Sequence, residues 1–188
     1  AVASVVWAFW LGGTPVRDWG AGVRAALRLP WKFSFTGWSL AVVLVLALVV
    51  FFRTYQLVQT PPEMVSDQAE KLLDVWDVLH GQTSIFFPRN TGREAFQMYL
   101  TAAVIKLFGT GFSFLSLKIG TVLCGLLTLP FIYGLGKELG GRRAGLFALA
   151  LAGVAYWPNV ISRVGLRFTL YAFFTAPVLY YLLRGLRA

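Results

Sequence analysis

From Ser39 to Phe52 the chain reads SLAVVLVLALVVFF, with no charged residue, between Trp38 on one side and Arg53-Thr54-Tyr55 on the other. Extended from Phe35 to Gln56, the run reaches the roughly 20 residues that a helix needs to cross the hydrocarbon of a bilayer. Aromatic and basic side chains at its two ends suit the membrane–water interfaces. Composition agrees: 57% of the residues are hydrophobic, 13% are charged and the mean hydropathy is +0.68, too apolar for a water-soluble domain. The chain is therefore read as an all-α, polytopic transmembrane helical protein with amphipathic helices beside the membrane.

The net charge of +9 does not point to nucleic acid. The basic residues flank apolar runs, as topology signals do, and are not interleaved with polar recognition sequence. Cys124 is the only cysteine and sits in an apolar run, so there is neither a disulfide framework nor a thiolate metal cluster. It reads as a small packed hydrophobe. Ala1 begins within an apolar segment, which reads as a fragment and not as a signal peptide.

In order, Ala1 to Leu11 is apolar but short for a span. Val16 to Phe35 carries Arg17, Arg24, Arg28 and Lys32 among Trp19, Leu27, Leu29 and Trp31. This basic region, residues 1–37 with the apolar segment, suits the cytoplasmic headgroup layer. Basic residues before the first span place its start in the cytoplasm and the following loop outside. The expected home is the cell membrane, plasma or inner, crossed several times with the basic loops cytoplasmic.

Residues 38–188 are expected to form one transmembrane module, with spans near 36–56, 114–136, 143–157 and 168–184 and an outer loop at 57–113. Within that loop, Ser66 or Asp67 can cap a helix running to about His80, with Leu72, Leu73, Trp76 and Leu79 as its apolar stripe. His80 reads as a helix-end residue. Ala95 to Phe108 contains Gln97 and Lys106 and is too short to count as a span. If it did cross, Lys137, Arg142 and Arg143 would lie outside; if it stays outside, they form a basic cytoplasmic turn around Gly140-Gly141, which is the arrangement preferred here. Trp157-Pro158-Asn159 breaks the third span, and Val160 to Arg167 forms a second outer loop.

Six of the eight acidic residues (Glu63, Asp67, Glu70, Asp74, Asp77, Glu94) lie between positions 63 and 94. The two outer loops bring Asp67 and Glu94 toward Arg163. An arginine fork orients a phosphate, and a carboxylate can take a proton from a nucleophile or hold a divalent cation. Salt bridges pinning loops to the scaffold are the alternative.

Several short stretches recur in a familiar order: Asp67-Gln68-Ala69-Glu70, Arg93-Glu94-Ala95-Phe96-Gln97-Met98-Tyr99-Leu100, Lys106-Leu107-Phe108-Gly109, Gly140-Gly141-Arg142-Arg143-Ala144-Gly145-Leu146 and Ser162-Arg163. In this order the chain, from about Trp38 to Arg187, resembles the N-terminal part of the C-fold membrane glycosyltransferases. It resembles in particular the family of protein O-mannosyltransferases and the lipid A aminoarabinose transferase (glycosyltransferase family 39-like).

The resemblance implies transfer of a sugar from a polyprenyl-phosphate carrier, the donor substrate, to an acceptor on the outer side. It implies a catalytic Asp67, acting as base or through a divalent metal ion, with Glu94 as a further metal ligand. Arg93, Arg163 and Arg167 would bind the donor phosphate. Departures are visible: Gln68 where members often carry Glu, Arg93-Glu94-Ala95 where they often carry Lys-Pro-Pro, and Arg167 where many have an aspartate. Members continue through further spans, so part of the donor cavity is expected to lie outside these residues. The implied partners are the bilayer, a lipid-linked sugar and other membrane subunits. The alternative function is a non-catalytic membrane subunit of a larger complex. A transporter is the weakest reading, because buried charges within the spans would be expected.

Overall fold

The computed structural model describes residues 36–89 and 92–187. The basic interfacial region up to residue 35 lies outside them. The chain divides into two units, Ala1–Thr36 and Gly37–Ala188, and the description below concerns the second.

The first span forms helix α1, Gly37–Thr54. Leu40, Val43, Leu44 and Phe51 stay between 49% and 60% exposed, the pattern of a helix whose outer surface meets lipid. Its inner side packs Val49 against Leu129 and Leu149. The chain then passes through a turn into α2, Ser66–Leu79.

Helix α2 is not capped by Ser66 or Asp67. Val65 occupies the cap position, and Gln68 Oε1 accepts its backbone N–H at 2.9 Å. The amphipathic face also differs from expectation. Gln68, Lys71, Leu72, Asp74 and Val75 are buried, whereas Leu73 and Trp76 are about half exposed. Polar side chains share the buried face with Leu72 and Val75, because the inner surface offers ion-pair and carbonyl partners, while Leu73 and Trp76 face out. His80 ends the helix as expected, its Nδ1 within 2.8 Å of the Trp76 carbonyl and its ring against that indole.

A two-residue ribbon follows that no sequence pattern announced: β1, Phe86–Phe87, pairs antiparallel with β2, Arg93–Glu94, with Phe87 opposite Arg93. Side chains alternate across a strand, so Phe87 and Arg93 point in while Phe86 and Glu94 point out. Phe87 joins Val75, Ala95, Met98 and Ala102 in a small core under α2. Helix α3, Phe96–Phe108, ends at Gly109 in the left-handed conformation. At 1.5 Å per residue it reaches about 20 Å, well short of the roughly 30 Å of bilayer hydrocarbon.

Helix α4, Phe114–Val154, is folded back on itself at Gly140 and Gly141, whose backbones are non-helical. Gly141, at φ 78° and ψ −174°, occupies a region essentially reserved for glycine. A Cβ on Gly136 would stand 2.9 Å from the Cα of Gly145, a contact that a straight helix could not make. The arms, residues 114–139 and 142–154, thus run antiparallel, which agrees with the expected turn. Among the described residues, α1 and α4 are the helices long and apolar enough to cross a membrane.

Short helix α5, Tyr156–Arg163, leads to α6, Phe168–Arg187. At one end of the bundle Arg187 bonds to the Glu138 carbonyl beside the α4 turn. At the other, the end of α1, the start of α4, α5 and the start of α6 converge with α2, β2 and α3.

Candidate functional site

Three segments distant in sequence supply the charged cluster at this end. Asp67 opens α2, and β2 aims Arg93 beneath it: Arg93 Nη2 donates to Asp67 Oδ1 at 2.7 Å and to Glu70 Oε2 at 2.9 Å. One helical turn on, Lys71 donates to Asp67 Oδ2 at 2.9 Å. The outward neighbour on β2, Glu94, accepts from Arg167 at 3.1 Å. Three carboxylates therefore face three cations.

The partners differ in exposure, and this decides their roles. Arg93 is 3% and Lys71 2% exposed, so their charges are fixed in place by the fold. Burial pushes the Lys71 ammonium below its usual value, outweighing the Asp67 hydrogen bond that raises it; the Arg93 and Arg167 charges lower it further. Arg167 and Glu94 are 37% and 65% exposed at their side chains. A pair so solvated contributes about 0–1 kcal/mol and can be exchanged for another anion.

Lys71, Arg93, Glu94 and Arg167 line a cavity of about 160 Å³ whose other walls are Phe96, Gln97, Met98, Leu170, Tyr171 and Phe174. Cations at one side and aromatic and aliphatic walls at the other match a charged head on an apolar chain. Asp67 stands at the edge, bonded to two of the lining cations.

Two buried amides hold the segment that carries Arg167. Gln68 Nε2 donates to the Val164 carbonyl at 3.2 Å, and Gln97 Nε2 to the Gly165 carbonyl at 2.7 Å. A glutamate at position 68, ionised, could not donate. The departure from the family's acidic pair thus has a structural use here.

Arg163 stands elsewhere. Its two guanidinium nitrogens donate at 2.7 Å to the Phe52 and Tyr55 carbonyls, tying α5 to the end of α1, and it does not line the cavity. As for a divalent cation, no three His, Cys, Asp or Glu side chains gather to hold one among the described residues. Asp67 faces Arg93 and Lys71, and Glu94 faces Arg167, so these residues do not fit such an ion.

Sequence reasoning singled out Asp67, Arg93, Glu94 and Arg167, which the fold brings together. It overlooked Lys71 as a site residue, although its spacing of four from Asp67 is the helical ion-pair spacing. For Gln97 no local signal existed. It also missed Arg89, which grips Asp74 at 2.7 Å and Asp77 and so ties the connection between β1 and β2 back to α2.

The fold and the site together define a class: a helical integral membrane protein with a cationic, apolar-walled cleft at one end of its helices. Residues 96–188 match the family described as Dolichyl-phosphate-mannose-protein mannosyltransferase. Over that range the chain is similar to mannosyltransferase-type membrane glycosyltransferases. No curated protein and no solved structure matches it.

Proposed function

We propose that this chain carries part of a C-fold glycosyltransferase site that moves a sugar from a polyprenyl-phosphate carrier to an acceptor on the extracytoplasmic side of the cell membrane. The observation that supports this reading is the junction of Asp67 with Arg93 and Lys71 beside the Arg167–Glu94 pair, at the rim of an apolar-walled cavity.

In this scheme the carrier phosphate displaces Glu94 from Arg167 and is held between Arg167, Arg93 and Lys71. Its isoprenoid chain lies on Leu170, Tyr171 and Phe174. Asp67 takes the proton of the attacking acceptor group. The new bond forms at the sugar's anomeric carbon with inversion while the carbon–oxygen bond to phosphate breaks. The electron pair leaves on the phosphate, where the cations stabilise the added charge. No step is routed through a metal. Arg163 has a positioning role, securing α5.

Replacing Asp67 with Asn tests the reading. Sugar transfer from a polyprenyl-phosphate donor should disappear in membranes carrying the variant in the full-length enzyme, with its membrane level unchanged. Full activity in that variant would remove the proposal's main support.

A further inference from the structure

Among the described residues, one buried arginine in the bundle has no acid to face. Arg53, at the end of α1, is 2% exposed. Among the described residues its partners are the Ser162 hydroxyl at 3.0 Å and the carbonyls of Ala152 and Pro158 at 3.4 and 3.5 Å, both at the long limit of a hydrogen bond. Its Nε is buried with no acceptor, and the Thr169 Oγ1 is likewise buried and unbonded.

Both side chains border one cleft of about 240 Å³ between α4, α5 and α6. Gly125 makes room for the guanidinium, since a Cβ there would strike Nη1. The remaining walls are mainly apolar: Leu129 and Ile132 line one side, and Trp157 and Phe168, both more than half exposed, stand at the mouth.

Buried charges in proteins are ordinarily paired, because neutral dipoles replace lost hydration incompletely. An uncompensated cation beside an unbonded hydroxyl, in an otherwise apolar cleft, calls for a ligand with one anionic head and a hydrocarbon tail. We propose that this cleft is a lipid-phosphate site, in which Arg53 and Thr169 bond a phosphate ester and the chain lies along Leu129 and Ile132. It shares no lining residue with the Arg93–Arg167 cavity and stands whether or not that cavity transfers sugar.

The test uses the whole chain in phosphatidylcholine nanodiscs, with bound ligand read by native mass spectrometry. The added ligands are dioctanoyl phosphatidylglycerol, farnesyl phosphate, dioctanoyl phosphatidylcholine and inorganic phosphate. The two anionic lipids should bind in preference to the zwitterionic one, and whichever binds more tightly identifies a bilayer phospholipid or an isoprenoid carrier as the source. Arg53→Gln should weaken that binding by about tenfold or more, the usual effect of losing a charged hydrogen bond. Should that variant fail to fold, Ala172→Trp, which fills the cleft from an exposed position on α6 and leaves Arg53 intact, should weaken it comparably. Arg184→Gln, exposed on α6 and lining neither cavity, should leave it unchanged. Equal binding of phosphatidylcholine, or affinity unmoved in Ala172→Trp, would overturn the site. Inorganic phosphate binding as tightly as the lipids would overturn the role of the tail.

Discussion

Arg93 Nη2 lies 2.7 Å from Asp67 Oδ1, across 26 positions of sequence, and its other short contact is Glu70 Oε2. A single buried guanidinium therefore fixes two carboxylates of the α2 first turns. The pairing depends on the ribbon, because the strand alternation that turns Arg93 inward turns Glu94 outward to Arg167.

Replacing Arg93 with Met should therefore cost stability as well as activity. It leaves Lys71 as the remaining cation on Asp67 and none of the observed ion-pair partners on Glu70. With both carboxylates partly solvated, a loss of about 1.5–3 kcal/mol is expected, the range for hydrogen bonds to charged groups. Thermal unfolding in detergent checks the stability, and a Lys replacement should recover more of it than Met.

Lys71 makes the site sensitive to alkaline pH. Its folded value is lowered from 10.5, first by burial and then by Arg93 and Arg167, against the pull of Asp67. In the window between that lowered value and 10.5 the unfolded chain binds more protons, so stability should rise with pH there. Anion binding at the cavity should fall across the same window as the charge is lost. Titrating stability and phosphate-ester binding together should show opposite slopes, and Lys71→Met should flatten both.

Gln68 is expected to act through Arg167. Gln68→Glu keeps the side-chain size but removes the donor to Val164 and places a carboxylate near its carbonyl. A buried unsatisfied acceptor costs about 1–3 kcal/mol. If Arg167 binds the carrier phosphate, the donor KM should rise more than kcat falls. A change confined to kcat would assign Gln68 to the chemical step instead.

The α4 hairpin rests on Gly141. An alanine there must adopt a glycine-only conformation at a cost of about 1–3 kcal/mol, so Gly141→Ala should lower the unfolding temperature. Gly37→Ala, at the N-terminus of α1 where a Cβ meets nothing within 4 Å, is the neutral control.

Local chemistry made much of this architecture legible in advance. The run before Arg53, the glycine pair at 140–141 and the helix ending at His80 follow from side-chain polarity and backbone freedom over a few neighbouring residues. The break expected at Trp157-Pro158-Asn159, in contrast, falls at Ala155, and those three residues lie in the first turn of α5, where a proline needs no helical N–H partner. The face of α2 was not legible either. Leu72, Leu73, Trp76 and Leu79 form an apolar stripe, but Leu73 and Trp76 are exposed and Lys71 and Asp74 are buried. In a membrane protein the apolar side of a helix can face lipid, so hydrophobicity alone does not say which way is in.

The amino-acid order by itself determined that this is a helical membrane protein and that Asp67, Arg93, Glu94 and Arg167 are charges gathered in the segments between its apolar helices. Only the tertiary structure decided the pairs: Arg93 with Asp67 and Glu70, Arg167 with Glu94, Arg163 with the carbonyls ending α1, and Arg53, among the described residues, with no carboxylate. An arginine's reach spans several possible acceptors, and which one it meets depends on where a two-residue ribbon and two glutamine-held turns place the backbone. Those placements arise from contacts between segments some 26 to 111 residues apart, beyond any local pattern.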